Sequence, residues 1–247
     1  DALFVGETTS VNSSDFSPKL GLLFDINDSS NIYWQYVRGF RAAPFSDVNI
    51  ALNIPFLNTI AIANPDLKSE TSDGFELGYR WFGDEQQFQA NYFHTDYNDL
   101  IESKAQVGFD PVSQALIFQS INIQEARIYG AEIDYQWQFH PQWEAKINLS
   151  VTRGKNKQTD QYLNSISPAK AVAQLQWHDT NQRWFATLYG SYSQKKTRAD
   201  DPDSELFLPP SYTTFDLLLA HHLNDRTAIK LAINNLSNKK YWLWQQV

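Results

Sequence analysis

The sequence contains no cysteine and no methionine. Without cysteine there is no disulfide framework, no thiolate metal site and no thiol nucleophile. It also lacks any run of about 18 apolar residues, the least a membrane-crossing helix requires, and its mean hydropathy is -0.47. A membrane β-barrel escapes that exclusion, because its strands alternate and look soluble on average. There is no basic surplus either. The net charge of -8 argues against nucleic acid as a partner, since phosphate binding needs a basic face. No Ser/His/acid set has supporting spacing, so the chain is not read as an enzyme. No signal peptide opens it, and Asp1 falls inside what reads as a loop. The chain is therefore expected to be a piece of a longer protein.

What is abundant is aromatic: Trp 8, Tyr 12 and Phe 16, or 15% of the residues. They fall on alternating segments, which predict an all-β, antiparallel fold of about ten strands. The first is predicted over Phe16 to Ile26, with Leu20, Leu22, Phe24 and Ile26 on one face. A second climbs from Ile32 to Phe40, where Tyr33, Trp34 and Tyr36 all compete for the outward face. Phe75, Leu77, Tyr79 and Trp81 then alternate with Gly74, Glu76, Gly78 and Arg80, and a strand from Gln86 to Ile101 follows. Arg127 to Phe139 sets Tyr129, Ala131, Ile133, Tyr135 and Trp137 against Gly130, Glu132, Asp134 and Gln136. The clearest strand runs Trp143, Ala145, Ile147, Leu149, Val151 against Glu144, Lys146, Asn148, Ser150 and Thr152. Two pairs complete the set, Ser167–His178 with Arg183–Lys196 and Tyr212–His221 with Thr227–Asn234.

Connection lengths carry the next step. Short turns near 27–31, 83–85, 140–142, 179–182 and 223–226 alternate with longer loops near 41–70, 102–124, 154–166 and 197–211. Short turns at one end and long loops at the other are the habit of an outer-membrane barrel. By this count both ends of the chain lie on the extracellular side. Each strand has one apolar-aromatic face, for lipid, and one face of charges and amides, for an interior. Lys146, Lys230 and Arg80 fall on the polar faces, where lipid would not penalise them. Tyr79, Trp81, Tyr135, Trp137, Trp143, Trp177 and Trp184 cluster beside the short turns, as an aromatic girdle would. The competing reading is a soluble β-sandwich that buries those aromatics and binds carbohydrate. Ten strands alone would leave two raw edges, which lipid does not tolerate.

The longest connection, from Tyr36 to Glu70, shows no helical period and is broken by Pro44, Pro55 and Pro65. At its ends stand Phe40-Arg41-Ala42-Ala43-Pro44 and Asn64-Pro65-Asp66-Leu67. The pair resembles the FRAP and NPNL boxes of TonB-dependent outer-membrane receptors, most closely the haem/haemoglobin receptor branch. The resemblance extends to SPKLGLLFDIN, YNDLIES, NIQEARIYGAEIDY and NLSNKKYW, in the expected order, and so spans most of the chain. It implies an antiparallel transmembrane β-barrel portion: residues 1–247 as the C-terminal part of a 22-stranded, plugged barrel. The plug domain and the final strand would lie outside the chain, which stops at Val247 inside the expected last extracellular loop. It further implies a multi-pass protein of a Gram-negative outer membrane that imports haem, or iron from a host haem protein such as haemoglobin. The periplasmic TonB complex would drive import through the plug. The alternatives are a ferric-siderophore receptor, a passive porin and the sandwich.

No intrinsic cofactor is expected; haem or a ferric complex would be cargo. Phe40, Arg41, Pro44, Asn64, Pro65 and Leu67 match the boxes, where anchoring of the loop to the barrel rim competes with direct contact to cargo; with the apolar Phe45 and Phe56 of the loop they are the candidate substrate-binding residues. Members of the haem branch usually carry a histidine between the boxes, but residues 45 to 63 contain no His, Tyr, Cys or Met. The loop offers Phe45, Ile50, Leu52, Ile54, Phe56, Leu57 and Ile60 instead, for a porphyrin, a partner protein or self-packing. His140, His178, His221 and His222 read as turn or interface residues, and His94 as outward-facing. Lys195, Lys196 and Arg198 lie at an outer strand end and are candidates for lipopolysaccharide phosphates, beside outer-membrane lipid as a general partner.

Overall fold

Ten long strands follow one another in chain order, each antiparallel to the next, in a computed structural model that describes residues 9–49, 51–200 and 206–246. Asp1, Ile50 and Val247 lie outside the described residues. The strands are β1 (Lys19–Asn27), β2 (Ser30–Arg41), β5 (Glu70–Phe82), β6 (Gln86–Asp110), β7 (Ala115–His140), β8 (Trp143–Asn156), β9 (Lys170–His178), β10 (Trp184–Ser193), β11 (Tyr212–Asn224) and β12 (Thr227–Ile233). Each predicted strand has its counterpart. Between β2 and β5 stand a short helix α1 (Phe45–Asn49) and two short strands, β3 (Leu52–Ile54) and β4 (Thr59–Ile62).

Register decides the faces. One row of paired residues runs Phe24, Ile32, Tyr79, Ala90, Ile133, Leu149, Ala171 and Tyr192 across eight strands. One residue along, Tyr33, Gly78, Asn91, Glu132, Ser150 and Lys170 form the row on the other face. Among the described residues the apolar face has no second layer: Leu22 is 63%, Phe24 68% and Leu77 53% exposed. A sandwich would bury these side chains, so the sandwich reading is excluded. The described residues form one sheet with β1 and β12 at its edges.

The polar face bonds to itself instead of packing. Glu76 accepts from the Tyr33 hydroxyl at 2.6 Å and from Gln35 Nε2 at 2.6 Å. The Arg80 guanidinium lies 4.3 Å from the Tyr33 ring centroid. This settles β2, with Tyr33 inward and Trp34 and Tyr36 outward. A Cβ at Gly78 would overlap the Tyr33 ring, so glycine there is what admits it. Asn148 donates to Asp134, Gln136 donates to Glu144 at 2.6 Å, and Lys146 pairs with Glu144 at 3.0 Å.

The aromatic cluster beside the short turns is continuous. Trp137, Phe139, Trp143 and Trp177 follow one another at centroid spacings of 5.4, 6.4 and 6.5 Å. His221 joins it, stacked on Trp184 at 3.8 Å, so it belongs to the girdle and not to a solvated turn. His94 faces outward as expected, beside Tyr129 and 3.3 Å from Asp96.

Two expectations need correction. The stretch 102–124 is no irregular loop: β6 and β7, 25 and 26 residues long, carry on as one hairpin to a turn at 111–114. A strand needs only about 9–11 residues to cross a bilayer, so more than half of this hairpin stands clear. Nor is 41–70 without regular structure. Its prolines flank β3 and β4 rather than preventing them, and β4 pairs parallel to β7, Thr59 opposite Leu116 through Ile62 opposite Gln119.

Candidate functional site

The segment between the two sequence boxes is bolted to the projecting β6–β7 hairpin. Leu67 is 7% exposed and clusters with Ala43, Val48 and Ile101, also buried. Asn64 donates through Nδ2 to the Ser120 carbonyl at 2.8 Å, while its Oδ1 receives the Asp66 amide at 3.2 Å. Asn122 receives the Lys68 amide at 2.8 Å and donates to the Lys68 and Asp99 carbonyls. Gln119 donates to the Ala63 carbonyl at 2.9 Å, and the Ser103 hydroxyl reaches Asp47 at 2.8 Å. Glu70 accepts the Ile101 amide at 2.8 Å and faces Arg41 at 3.7 Å.

The implied site residues therefore separate into groups. Leu67 and Asn64 hold the loop down. Phe40 is half-buried and, by register, on the outward face opposite Thr71. Pro65 is exposed beside Asn64. Arg41 and Pro44 help line an open pocket of about 440 Å³, with Asp47, Ile62, Lys104 and Phe118. Phe45 (64% exposed) and Phe56 (85%) project from the surface. Leu52, Ile54 and Ile60 are half-buried within the small β3–β4 layer, and Ile50 lies outside the described residues. Lys104, Phe118, Ser120 and Val48 were not among the sequence candidates. Val48 stands on α1, and the extension of the β6–β7 hairpin brings Lys104, Phe118 and Ser120 beside it.

The pocket joins two cations, Arg41, which faces Glu70 at 3.7 Å, and Lys104, and one carboxylate, Asp47, to an apolar wall of Pro44, Ile62 and Phe118. Its size is within the usual range for small-ligand sites. Such a lining suits a flat, largely apolar ligand that carries negative groups at its edge. Beyond it, the far end of the projection exposes Phe56, Leu57, Phe109 and Val112. The amide of Leu116 bonding to the Asn58 carbonyl at 2.8 Å holds the Pro55–Leu57 turn against that hairpin end.

Lys196 does not belong to an exposed cation cluster. Its Nζ donates to the Ile166 carbonyl at 2.6 Å and lies 4.3 Å from the Trp244 ring centroid, and burial pushes its pKa down to about 8. It ties together the two loops that flank β9 and β10. Lys195 and Arg198 are exposed.

Leu67→Ala is expected to loosen the anchor without unfolding the sheet. Truncating a buried leucine costs about 2–4 kcal/mol where the site cannot collapse, and here that loss falls on the loop. Limited proteolysis of the full-length protein in detergent should show cutting within residues 45–63 at least ~10-fold faster than in the parent. An unchanged cutting rate would show that the cluster does not hold the loop.

The family profile described as "TonB dependent receptor-like, beta-barrel" matches residues 2–236. The hemoglobin-haptoglobin utilization protein B of Neisseria meningitidis serogroup C is 29% identical over 245 residues, covering 86% of this chain and 30% of that protein. The hemin receptor of Yersinia pestis is 25% identical over 205 residues, covering 76% of this chain and 29% of that protein. Among solved structures, the copper transporter OprC superposes with a TM-score of 0.78 at 19% identity, covering 92% of this chain and 34% of that one. The chain thus spans about 30% of the length of these curated relatives.

Proposed function

From a chain that belongs to the TonB-dependent receptor β-barrel family, we propose a role in a Gram-negative outer-membrane receptor that takes haem, or iron, from a host haem protein and imports it under TonB drive. The observation that carries the cargo reading is the pocket between the two boxes. Arg41 and Lys104 suit the carboxylates of a porphyrin, and Pro44, Ile62 and Phe118 suit its apolar plate. The proteins with which the chain shares most of its length include one named for hemoglobin-haptoglobin use and one named as a hemin receptor. Phe40, Arg41, Pro44, Phe45, Phe56, Asn64, Pro65 and Leu67 then divide into cargo contacts (Arg41, Pro44), protein contacts (Phe45, Phe56) and supports.

A ferric-siderophore receptor is the second reading, favoured by the lack of His, Tyr, Cys or Met across residues 45 to 63. An anionic iron chelate would also suit the two cations. Titrating the full-length receptor with haemin, haemoglobin and ferric siderophores separates the two. We expect haemin or haemoglobin to bind, and Arg41→Ala with Lys104→Ala to weaken haemin binding by ~10-fold or more, since hydrogen bonds to charged groups contribute about 1.5–3 kcal/mol. Siderophore binding with no response to haemin or haemoglobin would overturn the first reading.

A further inference from the structure

The outward face changes character abruptly at one level. On β7 it is apolar from Trp137 to Tyr129 and on β8 from Trp143 to Val151; the next outward residues are Arg127 and Arg153. Along β8 that stretch spans ~27 Å of strand, or ~20 Å of height at the usual barrel tilt, close to the apolar band of an outer-membrane barrel. Just past the band lies a row of charge, Arg38, Asp73, Asp96, Arg127 and Lys155, paired in register across five strands. This is the depth at which lipid headgroups meet the protein.

Around β7 and β8 the row becomes a basic depression. Arg127 and Lys155, with Lys157, line an outward-facing hollow of about 530 Å³ beside Tyr92 and Tyr129. Arg153 shares an adjoining hollow with Lys195 and Arg198. Three carboxylates face these cations: Asp96 is 2.9 Å from Arg127 and 3.7 Å from Lys157, Glu125 is 3.2 Å from Lys157, and Asp160 is 2.7 Å from Lys155. Arg153, Lys195 and Arg198 have no ion pair among the described residues. Among the described residues these six cations therefore have three ion-paired acids, with Asp200 two positions beyond Arg198, in a chain whose overall charge is -8.

Immediately toward the membrane, one step down the same strands, the outward face holds an apolar groove of about 390 Å³. Its floor is cut by Ala131, Ala169 and Ala171, and its sides are Val151, Leu149 and Tyr192. Small side chains between large ones leave a channel on a surface that lipid already covers. The basic hollow and the apolar groove thus lie end to end on the outward face of β7 and β8.

We propose that Arg127, Arg153, Lys155, Lys157, Lys195 and Arg198 bind the phosphates of an outer-leaflet phosphoglycolipid, with one of its acyl chains in the alanine-floored groove. Arginine clamps a phosphate through two parallel N–H bonds, and the lysines add point charge. Tyr92 and Tyr129 offer rings beside the hollow for the sugar. This rests on the membrane-barrel reading, which heat-modifiable gel migration of the same samples tests separately.

The test uses the full-length receptor in detergent, titrated with bisphosphorylated lipid A and followed by native mass spectrometry. Arg127→Gln, Arg153→Gln, Lys155→Gln and Lys157→Gln combined should weaken lipid A binding at least ~10-fold, the loss of a few charge-assisted bonds. Ala131→Trp, which fills the groove and leaves every charge in place, should weaken it as well. Dephosphorylated lipid A should bind poorly, and inorganic phosphate at the same concentration should not displace lipid A. Equal binding by the parent and the fourfold variant, with both migrating as folded barrels, would overturn the proposal. So would equal binding of the dephosphorylated lipid, or full displacement by inorganic phosphate.

Discussion

Ile147→Arg in the full-length receptor is expected to cost about 2–4 kcal/mol of folding stability in a bilayer, the penalty for a cation at the midplane of a barrel's lipid face. Ile147 lies on the outward face between Tyr135 and Ala173 and is 41% exposed. It is the middle one of the outward residues that run from Trp143 to Val151. Its neighbour Asn148 faces the other way and donates to Asp134. Asn148→Arg should therefore stay within about 1 kcal/mol of the parent, since the new cation meets a carboxylate in a polar interior. Urea titrations of both variants in lipid vesicles, read by heat-modifiable migration, compare them directly. Equal losses for the two substitutions would contradict the assignment of faces. So would a larger loss for Asn148→Arg.

The strands between Trp143 and Val151 or between Arg127 and Phe139 were legible because one constraint acts on every residue there. Each side chain meets either lipid or the wet interior, and alternation records the choice. The same rule placed Lys146, Lys230 and Arg80 inward and His94 outward. Above the membrane the constraint lapses. Glu102, Ser103 and Lys104 on β6 and Gln119, Ser120 and Asn122 on β7 are polar on both faces, because water bathes one side and the loop covers the other. The period is broken again by register shifts between Glu102 and Ala105 and between Gln106 and Gly108, and by positive φ at Asp99 and Lys104. A 26-residue strand then reads as a strand and a loop. The pocket inherits that blindness. Arg41 and Pro44 were named through their box, whereas Lys104 and Phe118 enter only because the hairpin goes on and β4 lies down beside it. Lys196 shows the opposite failure. Its charge suggested an exposed patch beside Lys195, and nothing local signalled that Trp244, 48 positions later, would cover it.

Replacing Phe56 and Val112 by serine together should weaken capture of a haem protein while leaving haemin binding intact. Phe56 is 85% and Val112 92% exposed, with Leu57 at 59% and Phe109 at 54% on the same projecting end. A large exposed apolar cluster on a structure that stands clear of lipid calls for a partner. The cluster is presented on a paired scaffold, so little ordering entropy offsets its contacts. Buried aromatic anchors at protein interfaces lose about 2 kcal/mol or more on truncation. The double variant should accordingly bind haemoglobin some ~30-fold more weakly, mostly through faster dissociation. The pocket of Arg41 and Lys104 is a separate feature, so the haemin titration of the same variant should overlay the parent's. Surface serines replace no buried contact, and the Leu116–Asn58 bond that holds the turn to the hairpin is made by backbone. A folding defect therefore cannot stand in for the loss. If haemoglobin affinity stays at the parent's level, the exposed end is not the capture surface. If haemin affinity falls in step with it, the projecting end and the pocket form one site rather than two.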